Sequence, residues 1–177
     1  MLNKLINMLK RNKKYNFKVL GTNVIIQNEF SVASAEHVSI GDNVYIGPRC
    51  RFLGYGGIVV GSGTIIAHNV EILTRNHNYD SDNLKSIPYD NIYLYKQVVI
   101  GENVWIGAHV LIVPGVTIGE GAVIGMGAVV SKNVPALAVV VGNPAVIVKY
   151  RDSDTYYELK SKGKIYLKLK SENYFNG

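Results

Sequence analysis

The residue best placed for chemistry in this chain is His77, in the segment Asn-His-Asn-Tyr-Asp at positions 76–80. An imidazole, with an ordinary pKa of about 6.5, can accept a proton near neutral pH and can therefore activate a hydroxyl group. A loop histidine can equally have no chemical role, and the residue type alone favours that second interpretation. The choice between these two interpretations depends on the structural elements that carry His77.

Those elements follow a period of six residues, which neither an amphipathic helix nor a single half-buried strand has. Six residues make one short strand and a bend, and three such units close a triangular coil whose strands pair with those of the coils above and below, about 4.8 Å away. The pattern therefore predicts a three-sided prism of parallel strands. The large positions are Ile40, Ile46, Phe52, Val60, Ile66, Ile72, Ile100, Ile106, Ile112, Ile118, Ile124 and Val130, and small residues follow four places on, at Val104, Val110, Val116, Ala122, Ala128 and Val134.

Two insertions interrupt the period, and both follow the third strand of a coil. Phe52 and Val60 are eight residues apart, with the surplus in the turn at 54–57, whereas Ile72 and Ile100 are 28 residues apart. Both insertions should therefore leave the prism at the same corner. A loop longer than about 12–15 residues is uncommon in a compact domain unless it is functional. The long insertion, roughly 76–98, is thus where we expect the site, and His77 opens it.

Composition limits the classes of function. The chain has 177 residues, a net charge of +6 and a single cysteine, Cys50, which occupies a small interior position and is expected to be packed rather than reactive. It has no run of apolar residues long enough to span a membrane and no uninterrupted signal-like segment, so a cytoplasmic location is expected. The sequence has no surface motif of interleaved basic and aromatic residues, so it does not indicate nucleic-acid binding. An anionic small molecule fits the charge better, with Lys132 and Lys149 as candidate contacts, although either lysine alone could simply be solvated.

The ladder is first evident at Ile40, so the prism is expected to have begun by about that residue; we assign 17–149 to it, with the extruded loop at about 76–98. Residues 1–16 form a basic amphipathic pattern that predicts a short helix covering the open end of the coil, with binding to a membrane surface as the alternative. Residues 150–177 predict a tail of two short helices divided by Gly163.

Four ordered motifs carry a resemblance to a known family: Ile-Gly-Glu-Asn-Val-Trp-Ile-Gly at 100–107, Pro-Gly-Val-Thr-Ile-Gly at 114–119, Val-Ser-Lys-Asn-Val-Pro at 130–135 and Val-Gly-Asn-Pro-Ala at 141–145. Over about 39–151 the chain resembles the hexapeptide-repeat acyltransferases, and within them the galactoside, maltose and xenobiotic O-acetyltransferases. The resemblance implies an all-β fold, a left-handed parallel β-helix of hexapeptide repeats with short terminal helices. It also implies a homotrimer that binds acetyl-CoA in grooves between neighbouring prisms.

The same resemblance implies roles for individual residues. His77 corresponds to the family's catalytic histidine, which takes a proton from the acceptor hydroxyl as its oxygen attacks the acetyl thioester, and backbone N–H groups would stabilise the oxyanion. Asp80 is a candidate to hold the other ring nitrogen. Trp105 either packs at the subunit contact or lines the acceptor site. The implied donor contacts are Ala108, Gly125, Met126, Gly127, Ser131, Lys132 and Lys149.

The residue types of the long loop suit a sugar, because aromatic faces and a carboxylate can form an acceptor pocket. Packing within the loop is an equal alternative for the same residues, which are Tyr79, Asp80, Tyr89, Tyr93 and Tyr95.

The function expected is acetyl-CoA-dependent O-acetylation of a sugar hydroxyl, since the short N-terminus and the tyrosine-rich loop resemble those of enzymes that modify surface polysaccharides. N-acetylation of an amino sugar, including a nucleotide-linked one, acetylation of an antibiotic, and a non-catalytic scaffold remain alternatives. His68 and His109 should approach each other on adjacent coils, where packing at a subunit contact is the preferred explanation. No metal is expected, because the His-x-x-x-x-His pair of the zinc-binding relatives is missing from the sequence.

Overall fold

A computed structural model describes residues 15–174, so most of the predicted N-terminal helix lies outside the described residues. The described chain winds as a left-handed parallel β-helix with three flat faces, five complete coils and a partial sixth. On the first face lie β1 (Val19–Leu20), β4 (Val38–Ile40), β7 (Ile58–Val60), β12 (Val98–Ile100) and β15 (Thr117–Ile118).

The other two faces complete each coil. The second face carries β2 (Ile25–Ile26), β5 (Tyr45–Ile46), β8 (Ile65–Ile66), β13 (Trp105–Ile106), β16 (Val123–Ile124) and β18 (Ala138–Val141), with β19 (Val146–Tyr150) antiparallel to β18 at its end. The third face carries β3 (Ser31–Ala33), β6 (Arg51–Leu53), β9 (Glu71–Leu73), β14 (Leu111–Ile112) and β17 (Val129–Val130).

The prism interior confirms the six-residue pattern. Every large and small position predicted to face inward is at most 5% exposed, and Cys50 is fully buried among them. Each coil hydrogen-bonds to the next through its backbone, as where Trp105 N–H donates to the Ala122 carbonyl at 3.0 Å. Thr64 replaces an aliphatic residue in this column, and its hydroxyl donates to the Gly101 carbonyl at 2.9 Å. The core is thus a continuous apolar column whose polar backbone is satisfied between coils.

The prism begins earlier than residue 40. A complete first coil, β1 to β3, precedes Ile40 and pairs strand for strand with the second coil. The six-residue ladder is present there too, at Leu20, Ile26 and Val32, but a two-residue surplus separates it from Ile40. That surplus forms a short 3₁₀ turn, Ala35–His37, which interrupts the period between Val32 and Ile40.

All three insertions leave the prism at the corner between the third and first faces, called here the third corner, and the spacing predicted this shared corner for the two later ones. The turns Ala35–His37 and Gly54–Gly56 and the long loop lie there in successive coils. Thr74 anchors the base of the loop, because its buried hydroxyl donates to the Leu53 carbonyl and accepts a 2.7 Å bond from Gly56 N–H. Lys96 N–H then closes the loop onto the Thr74 carbonyl at 2.9 Å.

The tail forms two helices on either side of Gly163, α1 (Ser153–Ser161) and α2 (Tyr166–Ser171). The side chain of Asp152 caps α1 by accepting a 2.8 Å bond from Thr155 N–H. Tyr156 holds the tail to the prism, since its hydroxyl donates to Glu120 at 3.0 Å and accepts from Asn103 at 3.2 Å. Within residues 15–174 no helix is long and apolar enough to cross a bilayer.

Candidate active site

The long loop begins and ends as a two-stranded arm that projects from the third corner. Its strands are β10 (Arg75–His77) and β11 (Tyr93–Tyr95), paired antiparallel with His77 opposite Tyr93 and Arg75 opposite Tyr95. Side chains alternate along a strand, so Arg75 and His77 share one face of the arm with Tyr93 and Tyr95. The arm therefore presents an imidazole and a guanidinium side by side on an aromatic surface.

On this face, rings and a guanidinium form a continuous stack, which we call the arm stack. The His77 imidazole lies on the Tyr89 ring with centroids 3.8 Å apart and contacts the Tyr93 ring at 4.7 Å. The Arg75 guanidinium carbon lies 4.5 Å from the same Tyr93 ring and 3.7 Å from the ring of Tyr55. Tyr55 comes from the turn in the preceding coil, so the prism corner and the arm together fix the stack.

A buried polar pair holds the loop closed behind His77. Asn78 Nδ2 donates to Asp90 Oδ2 at 2.8 Å, and Asp90 Oδ1 accepts from Ile92 N–H at 2.9 Å. Both side chains are at most 5% exposed. Desolvation on its own would raise the pKa of the Asp90 carboxyl, but the hydrogen bonds from Ile92 and Asn78 and the charge of Lys85 lower that pKa below its usual value. Asp90 is therefore a carboxylate that positions the loop.

The two ring nitrogens of His77 have different surroundings. Nδ1 is buried and has no hydrogen-bond partner within residues 15–174, so Asp80 does not hold it in the described chain. For Nε2 to accept a proton, Nδ1 must carry the ring hydrogen and needs an acceptor. The expectation for Asp80 as the orienting group was wrong for a single protomer.

The candidate donor contacts lie at two corners of the prism and, for Lys149, on its last strand. Ala108 and Gly127 stack at the corner between the second and third faces, the second corner, where Gly127 N–H donates to the Ala108 carbonyl at 2.8 Å. Gly125 and the 76% exposed Met126 lie at that same corner.

Ser131 and Lys132 share the third corner with His77, but two coils further along the prism, roughly 10 Å at the spacing of neighbouring strands. Lys149 lies on β19, at the end of the second face. In one protomer the predicted base and the Ala108–Gly127 contacts are thus on different corners.

Other predicted residues lie away from the arm. Trp105, 57% exposed, is on the second face in a shallow cleft beside the tail, so it is not brought together with His77. Tyr79 and Asp80 are exposed on the loop beyond His77.

His68 and His109 do approach each other, with ring centroids 5.4 Å apart. The described chain contains no group of three or more residues suited to hold a metal ion.

The comparisons with known proteins match this architecture. Residues 97–132 match the family model described as bacterial transferase hexapeptide (six repeats), and residues 37–73 match the hexapeptide repeat of succinyl-transferase. The two matches end on either side of the arm. "Putative colanic acid biosynthesis acetyltransferase WcaF" of Escherichia coli (strain K12) is 31% identical over 134 residues, which cover 75% of this chain and 69% of the relative.

Two solved structures are also similar. The hexapeptide-repeat acetyltransferase VCA0836 of Vibrio cholerae O1 biovar eltor, complexed with acetyl-CoA, is 29% identical, covers 77% of this chain and 73% of its own, and has a TM-score of 0.69. A maltose O-acetyltransferase from Clostridium difficile 630 is 36% identical over 77% of this chain and 71% of its own, with a TM-score of 0.67.

Fold and repeat together define an acyltransferase of the left-handed β-helix class. This chain belongs to the hexapeptide-repeat acetyltransferases.

Sequence reasoning missed three residues of this site. Arg75 could have been found, because it lies two positions before His77 on a strand and therefore shares its face. Asp90 carried no local signal, since its partner Asn78 is twelve residues away. Tyr55 could not have been placed beside Arg75 without knowing that both insertions leave the same corner.

Proposed function

We propose that this enzyme transfers an acetyl group from acetyl-CoA to a hydroxyl of a saccharide, with His77 as the general base. The observation that carries the proposal is the arm stack, which fixes the imidazole of His77 between two tyrosine rings on a half-exposed aromatic face. Aromatic faces suit the apolar side of a sugar ring. The similarity to an O-acetyltransferase of maltose and to an acetyltransferase in complex with acetyl-CoA supports this choice of donor and acceptor.

In the proposed step, Nε2 of His77 takes the proton of the acceptor hydroxyl while the hydroxyl oxygen attacks the thioester carbon. The tetrahedral oxyanion then collapses, the carbon–sulfur bond breaks, and the thiolate of CoA leaves and takes up the proton. The products are an O-acetyl ester and free CoA.

We further propose that the working enzyme is a homotrimer in which neighbouring protomers complete each site. Two observations support this arrangement. The Ala108–Gly127 contacts lie on a different corner from His77, and the buried Nδ1 of His77 has no partner within residues 15–174. A closed ring brings unlike corners of adjacent prisms together, and the neighbour can supply the missing acceptor.

The test measures CoA thiol release from acetyl-CoA with a panel of neutral sugars, amino sugars and nucleotide sugars. We expect release with a sugar acceptor, a product ester that hydroxylamine cleaves under mild conditions, and loss of turnover in His77→Ala. His37→Ala is the matched control and should retain turnover. It removes an exposed imidazole at the same corner two coils earlier, where the ring contacts the backbone carbonyl of Tyr55, at 3.2 Å. Full turnover by His77→Ala would refute the assigned base, and a hydroxylamine-stable amide product would favour N-acetylation of an amino sugar.

A non-catalytic scaffold is separated from an enzyme by ligand-linked stability. Acetyl-CoA at 100 times its Kd should add about 2.7 kcal/mol to the free energy of unfolding, whereas a scaffold without a donor site would not respond.

A further inference from the structure

The arm carries a positive charge that no part of the described chain neutralises. The Arg75 guanidinium makes no ion pair and no hydrogen bond within residues 15–174, and its contacts are with the rings of Tyr55 and Tyr93. By contrast, Arg51 pairs with Glu71 at 3.7 Å and Arg49 donates to Asn69 at 2.8 Å. Arg75 is thus held in place by aromatic faces while its five N–H donors stay available.

Two rings against one guanidinium fix its position before any ligand arrives. An arginine side chain loses much rotamer freedom when it binds a ligand, and a stacked guanidinium has already lost part of that freedom before binding. Cation–π contacts engage the face of the guanidinium, whereas carboxylates and phosphates bind its edge through two parallel N–H bonds. The arm therefore contains a preorganised guanidinium whose edge is suited to an anion.

The position of Arg75 relative to His77 indicates which molecule would carry that anion. The Cα atoms of alternate strand residues are separated by roughly 6.7 Å, and the guanidinium and the imidazole both contact the ring of Tyr93. This separation along the strand is about the size of one sugar ring. The diphosphate of CoA is separated from its thioester by the whole pantetheine arm, which is much longer, so a donor whose thioester is at His77 cannot also place its phosphates at Arg75.

We propose that Arg75 is the specificity-determining residue for an acidic acceptor, a saccharide whose carboxylate or phosphate group lies within one sugar ring of the hydroxyl that is acetylated. This inference rests on the proposed function. The acidic residues of the loop do not compete for the guanidinium, because Asp90 is engaged by Asn78 and Ile92, and neither Asp80 nor Asp82 pairs with Arg75. A carboxylate source would be a uronic acid, and a phosphate source would be a sugar phosphate or a nucleotide sugar.

The experiment uses three probes that differ in one group: glucose, glucuronate and glucose 1-phosphate. Binding of each probe without donor, and acetyl transfer to each with acetyl-CoA, are measured for the wild type, R75Q, R75K and R151Q. Arg151 is the matched control because its guanidinium also lies over a tyrosine, Tyr156, at 4.9 Å, but in the tail. The acidic probe that binds and reacts better, glucuronate or glucose 1-phosphate, shows whether the anionic group of the acceptor is a carboxylate or a phosphate.

We expect the wild type to favour an acidic probe over glucose by about 10- to 100-fold in affinity and kcat/KM, the range for a hydrogen bond to a charged group. R75Q should lose that preference, with a much larger fall in kcat/KM for the acidic probes than for glucose and with little change in its KM for acetyl-CoA. R75K should keep part of the preference, and R151Q should keep it in full. Equal binding of all three probes by the wild type, an equal loss for all three in R75Q, or a raised KM for acetyl-CoA alone would each overturn the proposal.

The two proposals fail in different ways. An acidic preference in binding without any transfer would leave the Arg75 site standing and reject the acetyl transfer to these sugars. Transfer without an acidic preference would support the proposed function and reject the role of Arg75.

Discussion

Asn78 donates a 2.8 Å hydrogen bond to the carboxylate of Asp90, and this pair, buried at the base of the loop, joins the two ends of the segment that follows His77. Two backbone hydrogen bonds support the pair: Asp90 N–H donates to the Asn78 carbonyl at 3.1 Å, and Asn78 N–H donates to the Ile92 carbonyl at 3.0 Å. His77 is thus adjacent in sequence to a buried polar contact that closes the loop, and we expect its orientation to depend on that contact.

Asn78→Ala should therefore loosen the arm without unfolding the prism. The substitution leaves the Asp90 carboxylate buried without one partner, which costs about 1–3 kcal/mol of local stability. We expect faster amide hydrogen exchange at 76–94, unchanged exchange in the coils and a lower kcat. Unchanged exchange in the arm would contradict the role given to the pair.

The stack of His77 on Tyr89 predicts a difference between removing the ring and removing only its hydroxyl. A stacked aromatic pair is worth about 0.5–1.5 kcal/mol, so Tyr89→Ala should lower kcat about 2- to 12-fold. Tyr89→Phe keeps the ring and serves as the control. Equal losses in the two variants would show that the hydroxyl, and not the stack, matters.

The placement of His77 and Met126 on different corners predicts complementation between protomers. Met126→Trp should block the donor groove without disturbing the core, because Met126 is 76% exposed. Each of Met126→Trp and His77→Ala should be inactive alone, and co-refolded mixtures should regain part of the activity in proportion to the shared sites formed. Mixtures that stay inactive would place the base and the donor contacts in the same protomer.

The docking of the tail predicts a loss of stability in alkali. Burial, together with the neighbouring Glu120, raises the pKa of Tyr156 to about 12, although the hydrogen bond from Asn103 opposes the shift. Between about pH 10 and pH 12 the unfolded chain therefore releases this proton and the folded chain keeps it, so the stabilisation present below pH 10 declines as the pH rises. Denaturant unfolding from pH 8 to 11.5 should show this slope, and Tyr156→Phe should reduce it. An equally steep slope in Tyr156→Phe would assign the effect elsewhere.

Cys50 should be unreactive until the prism opens. Burial raises the pKa of its thiol, and Sγ donates to the Ala67 carbonyl at 3.0 Å inside the core. We expect no reaction with a thiol reagent in the native protein and one reactive thiol per chain in denaturant. Rapid labelling of the native enzyme would contradict the packing described for the prism interior.

The sequence by itself determined the coil, the corner and the loop. The six-residue period arises because each short strand buries a large side chain and is followed by a bend that buries a small one, which is a local property of the chain. The places where the period fails locate the insertions at one corner. The same reasoning placed Cys50 and the small residues in the interior. The assigned range, 17–149, includes the first coil, but the ladder is first evident at Ile40 because the surplus at 34–37 breaks the period between Val32 and Ile40.

The tertiary structure alone decided what surrounds His77. Tyr55 reaches Arg75 because coil stacking aligns insertions that are twenty residues apart in sequence, and Tyr89 reaches the imidazole because the loop folds back through the Asn78–Asp90 pair. Neither contact can be predicted from the six-residue period, because the geometry of the corner, and not local burial, determines which side chains meet across an insertion. The division of the candidate donor contacts between two corners likewise became visible only when the coils were wound.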